Sequence, residues 1–137
     1  MTITRDETLP LQTPEDIVRA RQSVRAWAVE LGFSLVDQTK IVTAASELAR
    51  NTIDYGGGGE TRLQMLDNGG RLGLRIIFED QGPGIADVEL ALRDGYTTGG
   101  GLGLGLSGAR RLSNEFEIQT APGKGTRITI TRWKGGA

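Results

Sequence analysis

The chain has 137 residues, of which 37% are hydrophobic and 24% charged, as is typical of one soluble globular domain and not of a disordered chain. Its formal net charge of −1 gives no general attraction to nucleic acid or to an anionic membrane, and no run approaches the ~20 apolar residues of a membrane span. It contains no cysteine and no histidine, which excludes disulfides, the usual zinc sites and an imidazole base or phosphoacceptor, and we expect a cytoplasmic protein with a single domain over residues 1–137.

The first half of the sequence predicts a strand followed by two helices. Residues 2–11 alternate loosely between polar and apolar, which is typical of a strand at a sheet edge. Thr13 and Pro14 then offer an N-cap and a first helical residue, and apolar residues recur at helical spacing until Gly32. A second helix is predicted over residues 35–55, where four consecutive glycines end it.

The second half predicts two strand hairpins separated by two helical segments. Turn residues join each hairpin, Asp-Asn-Gly-Gly at 67–70 and Pro-Gly-Lys-Gly at 122–125. In chain order, the predicted segments are strands 61–66 and 72–79, helices 87–93 and 106–112, and strands 116–121 and 126–133. Together the elements predict an α+β two-layer sandwich, in which one mixed, mostly antiparallel sheet carries helices on one face.

Glu47 and Asn51 stand at positions i and i+4 of the second predicted helix, and therefore on one face of it. The simpler interpretation of Glu47 is an exposed carboxylate that pairs with Arg50. Asn51 weakens this interpretation of Glu47, because asparagine is a poor helix former and is unfavourable in the middle of a helix. Its amide oxygen can bind Mg²⁺ when phosphates and water complete the coordination shell. Glu47, one turn earlier, could then accept the proton of an attacking hydroxyl.

Asp80 ends an apolar strand and is followed by Gly82, Pro83 and Gly84. On one interpretation it is a turn-forming aspartate, and the glycines and the proline only break the secondary structure. On the other, its carboxylate accepts a hydrogen bond from the exocyclic amino group of adenine. Gly82 and Gly84 would then let the loop pass the base without a Cβ clash.

A glycine-rich segment, residues 99–105, precedes the helix predicted from Leu106. Leucines alternate with its glycines, which argues against a flexible linker and for a loop whose amides face phosphate oxygens next to a helix N-terminus. The segment lacks the lysine of a Walker loop. Thr126 is a weaker candidate, a strand residue after a turn whose hydroxyl could contact a phosphate. The predicted nucleotide-binding positions in the segment are Gly99, Gly101, Leu102, Gly103, Leu104 and Gly105.

In this order, the three motifs resemble the ATP site of the gyrase–Hsp90–histidine-kinase–MutL superfamily. The resemblance implies ATP and Mg²⁺ as cofactors, Asn51 as the metal ligand, Asp80 as the adenine-reading acid and Glu47 as the catalytic base. A sensor histidine kinase also needs an acceptor histidine, which the chain does not contain.

Residues 43–51, 94–98, 103–112 and 114–116 further resemble the serine/threonine switch kinases of the bacterial stressosome. That resemblance implies a kinase that phosphorylates STAS-domain scaffold or antagonist proteins and then binds and activates a PP2C-type phosphatase, with no nucleic-acid or membrane partner. The alternative is an anti-sigma factor that sequesters an alternative sigma factor and phosphorylates its STAS antagonist. A third interpretation, a nucleotide-binding regulator without transfer activity, is disfavoured by Glu47 and Asn51.

Overall fold

The computed structural model describes residues 1–93 and 105–135, which form one five-stranded sheet and four helices. The strands lie in the order β1-β2-β3-β5-β4, and each neighbouring pair is antiparallel, so the described sheet contains no parallel pair. The elements are β1 (Thr2–Leu11), α1 (Pro14–Glu30), α2 (Leu35–Asp54), β2 (Gly59–Asn68), β3 (Arg71–Asp80), α3 (Val88–Ala91), α4 (Gly105–Arg111), β4 (Glu115–Thr120) and β5 (Thr126–Trp133). The prediction of an α+β sandwich with β1 at an edge is confirmed.

Both long helices begin where the sequence places a capping side chain. The Thr13 hydroxyl accepts a hydrogen bond from the Asp16 amide at 3.3 Å, and the Asp16 carboxylate accepts one from the Thr13 amide at 3.2 Å, which is a capping box. Ser34 caps α2 in the same way by accepting from the Asp37 amide at 3.1 Å. Gly32 takes a φ of 84° between the two helices, a conformation that favours glycine.

The register of the sheet brings distant motifs together. β2 and β3 are joined by Gly69 and Gly70, both at positive φ, and their pairing runs from the turn to Gly59 opposite Asp80. On the other side of β3, Asp80 lies opposite Thr126 at the start of β5. The end of β3 is therefore flanked by both neighbouring strands.

The helices pack on one face of the sheet around a single core, as predicted. The buried apolar side chains of this core include Trp27, Ile41, Leu48, Leu63, Leu74, Ile76 and Ile130. Arg132 also points to this side, where it donates to Asp37 Oδ1 at 2.7 Å and to the Leu112 carbonyl at 3.0 Å. This ion pair between the buried Arg132 and the partly exposed Asp37 joins the first turn of α2 to β5. Over the described residues, no helix combines the length and the apolarity that crossing a membrane requires.

Candidate active site

A cavity of about 250 Å³ opens between α2, the end of β3, α3 and the start of α4. Four residues predicted to bind nucleotide lie together in its wall: Asn51, Asp80, Gly105 and Thr126. Most of the remaining wall is apolar and was not predicted from sequence; it comprises Leu48, Phe78, Ile85, Ala86, Leu90, Ala91, Leu106 and Ile128, and it also includes Thr52, Tyr55 and Asp87. A largely apolar cavity with a few converging polar groups is the usual form of a small-ligand site.

Asp80 is the buried acid of this cavity, with 8% of its surface exposed. The Gly82 amide donates to its Oδ1 at 2.9 Å, and the backbone of Thr126 also hydrogen-bonds to the carboxylate. Burial nevertheless raises the pKa of Asp80, and the nearby charge of Glu79 acts in the same direction. A buried carboxylate held by backbone amides is well suited to accept a hydrogen bond from a ligand.

Gly82 and Gly84 do not line the cavity. The structure explains why glycine stands at each position by a contact other than the predicted one with the base. A Cβ at Gly82 would overlap the backbone of Gly56, and one at Gly84 would overlap the Ala121 carbonyl. Gly84 also takes a φ of 76°. These glycines therefore allow close backbone packing behind Asp80.

Gly56 and Gly125 are two positions that the sequence reasoning missed. A Cβ at Gly56 would overlap the Asp80 carboxyl, and one at Gly125, where φ is 75°, would overlap the Asp80 carbonyl. Tyr55, next to Gly56, donates its hydroxyl to the Gly84 carbonyl at 3.3 Å. The run of four glycines after α2 was the available signal, but sequence reasoning used it only to end the helix.

Glu47 and Asn51 lie one turn apart on α2, as predicted, but Glu47 is not an exposed carboxylate. Its surface is 4% exposed, and Arg50 Nη1 lies 3.4 Å from its Oε1. Asn51 reaches the cavity wall, whereas Glu47 is not among the described lining residues. The helix therefore presents an amide to the cavity and holds a paired, buried carboxylate beside it.

Over residues 36–135, the chain matches the family described as histidine kinase-, DNA gyrase B-, and HSP90-like ATPases. The chain belongs to this family. Serine/threonine-protein kinase RsbT of Bacillus subtilis (strain 168) is 49% identical over 123 residues, which cover 90% of this chain and 92% of the relative. An anti-sigma F factor of Thermoanaerobacter sp. (strain X514) is 30% identical over 122 residues, covering 85% of this chain and 84% of the relative.

A solved structure of the RsbU and RsbW domains of a Mycobacterium tuberculosis protein superposes with a TM-score of 0.62 and 22% identity, covering 98% of this chain and 34% of that one. At this identity the likeness concerns the fold alone. Together with the relatives, the family membership makes this chain an ATP-dependent serine/threonine-protein kinase of the partner-switching group, as predicted.

Among the described residues of this ATPase domain, no three acidic, histidine or cysteine side chains gather at one point. A divalent cation beside Asn51 would therefore have an amide oxygen as protein ligand and take its other ligands from phosphates and water, a set that suits Mg²⁺. Gly105 begins α4 at a φ of 58° and is buried. The other predicted positions of the glycine-rich segment, Gly99, Gly101, Leu102, Gly103 and Leu104, lie outside the described residues.

Proposed function

We propose that this chain is a cytoplasmic switch kinase that transfers the γ-phosphate of Mg·ATP to a serine or threonine of a STAS-domain protein. After transfer it leaves that partner and binds and activates a PP2C-type phosphatase. The observation that carries the proposal is the placement of Asn51 and Asp80 in one cavity, in a chain 49% identical to RsbT over 90% of its length.

Each polar group of the site then has a role. The Asp80 carboxylate accepts from the adenine amino group, while the apolar wall, including Phe78 and Leu106, covers the purine faces. Glu47 accepts the proton of the partner's hydroxyl as it attacks, and the contact with Arg50 orients that carboxylate. Asn51 would hold Mg²⁺, which supplies charge neutralisation at the phosphates when bound. The amides of residues 99–105 hold the phosphates.

An anti-sigma factor is the second candidate, because several relatives carry that name. Such a protein would sequester an alternative sigma factor and use its kinase activity on a STAS antagonist. At similar coverage, the anti-sigma F factor from Thermoanaerobacter is 30% identical and RsbT is 49% identical. The larger identity favours the switch kinase.

The test is transfer of labelled γ-phosphate from Mg·ATP to candidate STAS proteins, each paired with a variant that carries alanine at the acceptor position. We expect one STAS protein to become labelled and its alanine variant to stay unlabelled. We also expect the kinase to stimulate a PP2C-type phosphatase. Binding of a sigma subunit in place of the phosphatase would favour the anti-sigma factor. ATP binding without transfer to any STAS protein would contradict both candidates.

A further inference from the structure

Thr120, the last residue of β4, lies behind the cavity wall, and its hydroxyl joins three parts of the site. The Ile85 amide donates to Thr120 Oγ1 at 2.9 Å, the Gly125 carbonyl lies 2.9 Å from it, and Thr126 Oγ1 lies 3.0 Å from it. Ile85 and Thr126 line the cavity, whereas Thr120 does not. One hydroxyl therefore connects the loop after Asp80, the β4–β5 turn and the start of β5.

The three contacts fix the direction of each hydrogen bond. An amide can only donate, so Thr120 accepts from Ile85; a carbonyl can only accept, so Thr120 gives its single proton to Gly125. Thr120 then has no proton left for Thr126. In the remaining contact, the Thr126 hydroxyl must donate to Thr120, which leaves the Thr126 oxygen with lone pairs alone for any other partner.

The cavity consequently has two acceptors side by side where β3 meets β5. Thr126 lies directly opposite Asp80 in the sheet, it is 7% exposed, and both residues line the cavity. Two neighbouring acceptors match the two N–H bonds of an exocyclic amino group. They repel a carbonyl oxygen in the same place, because neither side can supply a proton.

We propose that Thr120 is a positioning residue that makes the purine site selective for a 6-amino over a 6-oxo group by holding Thr126 as an acceptor. The inference rests on the proposed function, in which Asp80 reads adenine. Thr120 touches no part of the nucleotide itself. Without its hydroxyl, Thr126 can rotate and point its proton into the cavity, where a 6-oxo group accepts it.

The experiment compares the affinities of ATP and inosine triphosphate, which differ at C6 of the purine, by calorimetry with Mg²⁺ present. In wild-type protein we expect a clear preference for ATP. Thr120→Val should narrow the ratio of the two affinities about tenfold, the usual effect of one mispaired buried polar group. Thr120→Ser keeps a hydroxyl and should restore the ratio. The matched control is Thr129→Val. Thr129 lies on the same strand as Thr126 but lines a different groove, which shares no residue with the cavity, so this variant should leave the affinity ratio unchanged.

The outcomes separate this inference from the proposed function. A wild-type protein that binds both nucleotides equally would contradict the adenine-reading role and the inference with it. A selective wild type whose Thr120→Val variant loses affinity for both nucleotides by the same factor would overturn the inference alone, because Thr120 would then be purely structural. If Thr120→Val does not fold, Thr126→Val removes the second acceptor directly, and an unchanged ratio in that variant would equally overturn it.

Discussion

Replacing Asp80 by asparagine changes a carboxylate into an amide of nearly the same size at the buried end of the cavity. The asparagine oxygen can keep the hydrogen bond from the Gly82 amide, which measures 2.9 Å in the wild type. Its NH₂ group would then face the cavity, where on the proposed function the adenine amino group also donates. The substitution thus turns an acceptor into a donor at the position where we propose that the nucleotide base binds.

The expected loss follows from the burial and charge of Asp80, which is 8% exposed. A hydrogen bond to a charged group contributes about 1.5–3 kcal/mol, and two facing donors push the cost toward the upper end of that range. ATP affinity should therefore fall by about a hundredfold. Calorimetry of the folded variant measures it, and an unchanged affinity would show that Asp80 does not read the base.

The stability of the nucleotide-free protein should change in the opposite direction. Burial raises the pKa of Asp80 above its ordinary value of 3.8, so the folded state holds the proton over a pH range in which the unfolded chain has lost it. Stability consequently falls as pH rises from about 3.8 through the folded-state pKa and stays lower at neutral pH. Asp80→Asn should melt no lower than wild type at pH 7, and its advantage should vanish at about pH 3. A variant that melts well below wild type at pH 7 would identify Asp80 as a structural residue.

Three further substitutions test the rest of the fold and site. Glu47→Ala should lower phosphoryl transfer by at least ~100-fold while calorimetric ATP affinity changes little, because a general base acts in the transition state. Gly56→Ala should lower ATP affinity about tenfold because its Cβ displaces the Asp80 carboxyl, which we propose reads the base. Gly73→Ala, whose Cβ meets the Trp133 ring instead, should lower only the melting temperature. Arg132→Met should cost about 1–3 kcal/mol in denaturant unfolding, because it removes the charged partner of the partly exposed Asp37 carboxylate.

For each of these substitutions, one outcome would contradict the prediction. Near-wild-type transfer by a folded Glu47 variant would remove that residue from the mechanism. Equal effects of Gly56→Ala and Gly73→Ala on ATP affinity would mean that the first acts through general destabilisation. The Asp37 pKa is lowered mainly by its hydrogen bond from Arg132, so wild-type stability should fall as pH drops below about 3.8, and an Arg132 variant with the same pH profile would contradict the pairing.

The elements of the fold were predictable because caps, turns and periodic apolar residues are local signals. The ends of the strands were harder to predict. β2 begins at Gly59, two residues before the predicted start, because it pairs with the end of β3. A Cβ at Gly59 would overlap the Glu79 carbonyl, so glycine is required there by a neighbouring strand. Local propensity disfavours glycine in strands and cannot register that contact.

In the site, as in the fold, some residues could be predicted from local sequence signals, whereas others depend on contacts with distant parts of the chain. The choice of Asn51 and Asp80, which the structure places in one cavity, could be made because their chemistry is visible at their own positions. Gly56 and Thr120 could not be chosen in this way, since the role of each depends on a partner fixed by the sheet register. Thr120, for example, contacts an amide 35 residues earlier in the chain. Such residues contain no motif of their own and become visible only when hydrogen bonds and close contacts are traced in three dimensions.

Contacts at both ends hold α2 in place, and this bears on how the kinase chooses its protein substrate. At its start, Asp37 pairs with the buried Arg132 of β5, and just beyond its end Gly56 packs against the Asp80 carboxyl. Asn51 therefore lies at a fixed position relative to Asp80, on a helix of 20 residues that spans about 30 Å. From this preorganisation we expect the chain to bind nucleotide without its partner. On the proposed function, we expect discrimination among STAS proteins to depend on the surfaces that dock the partner, because Asn51 and Asp80 already lie in one cavity.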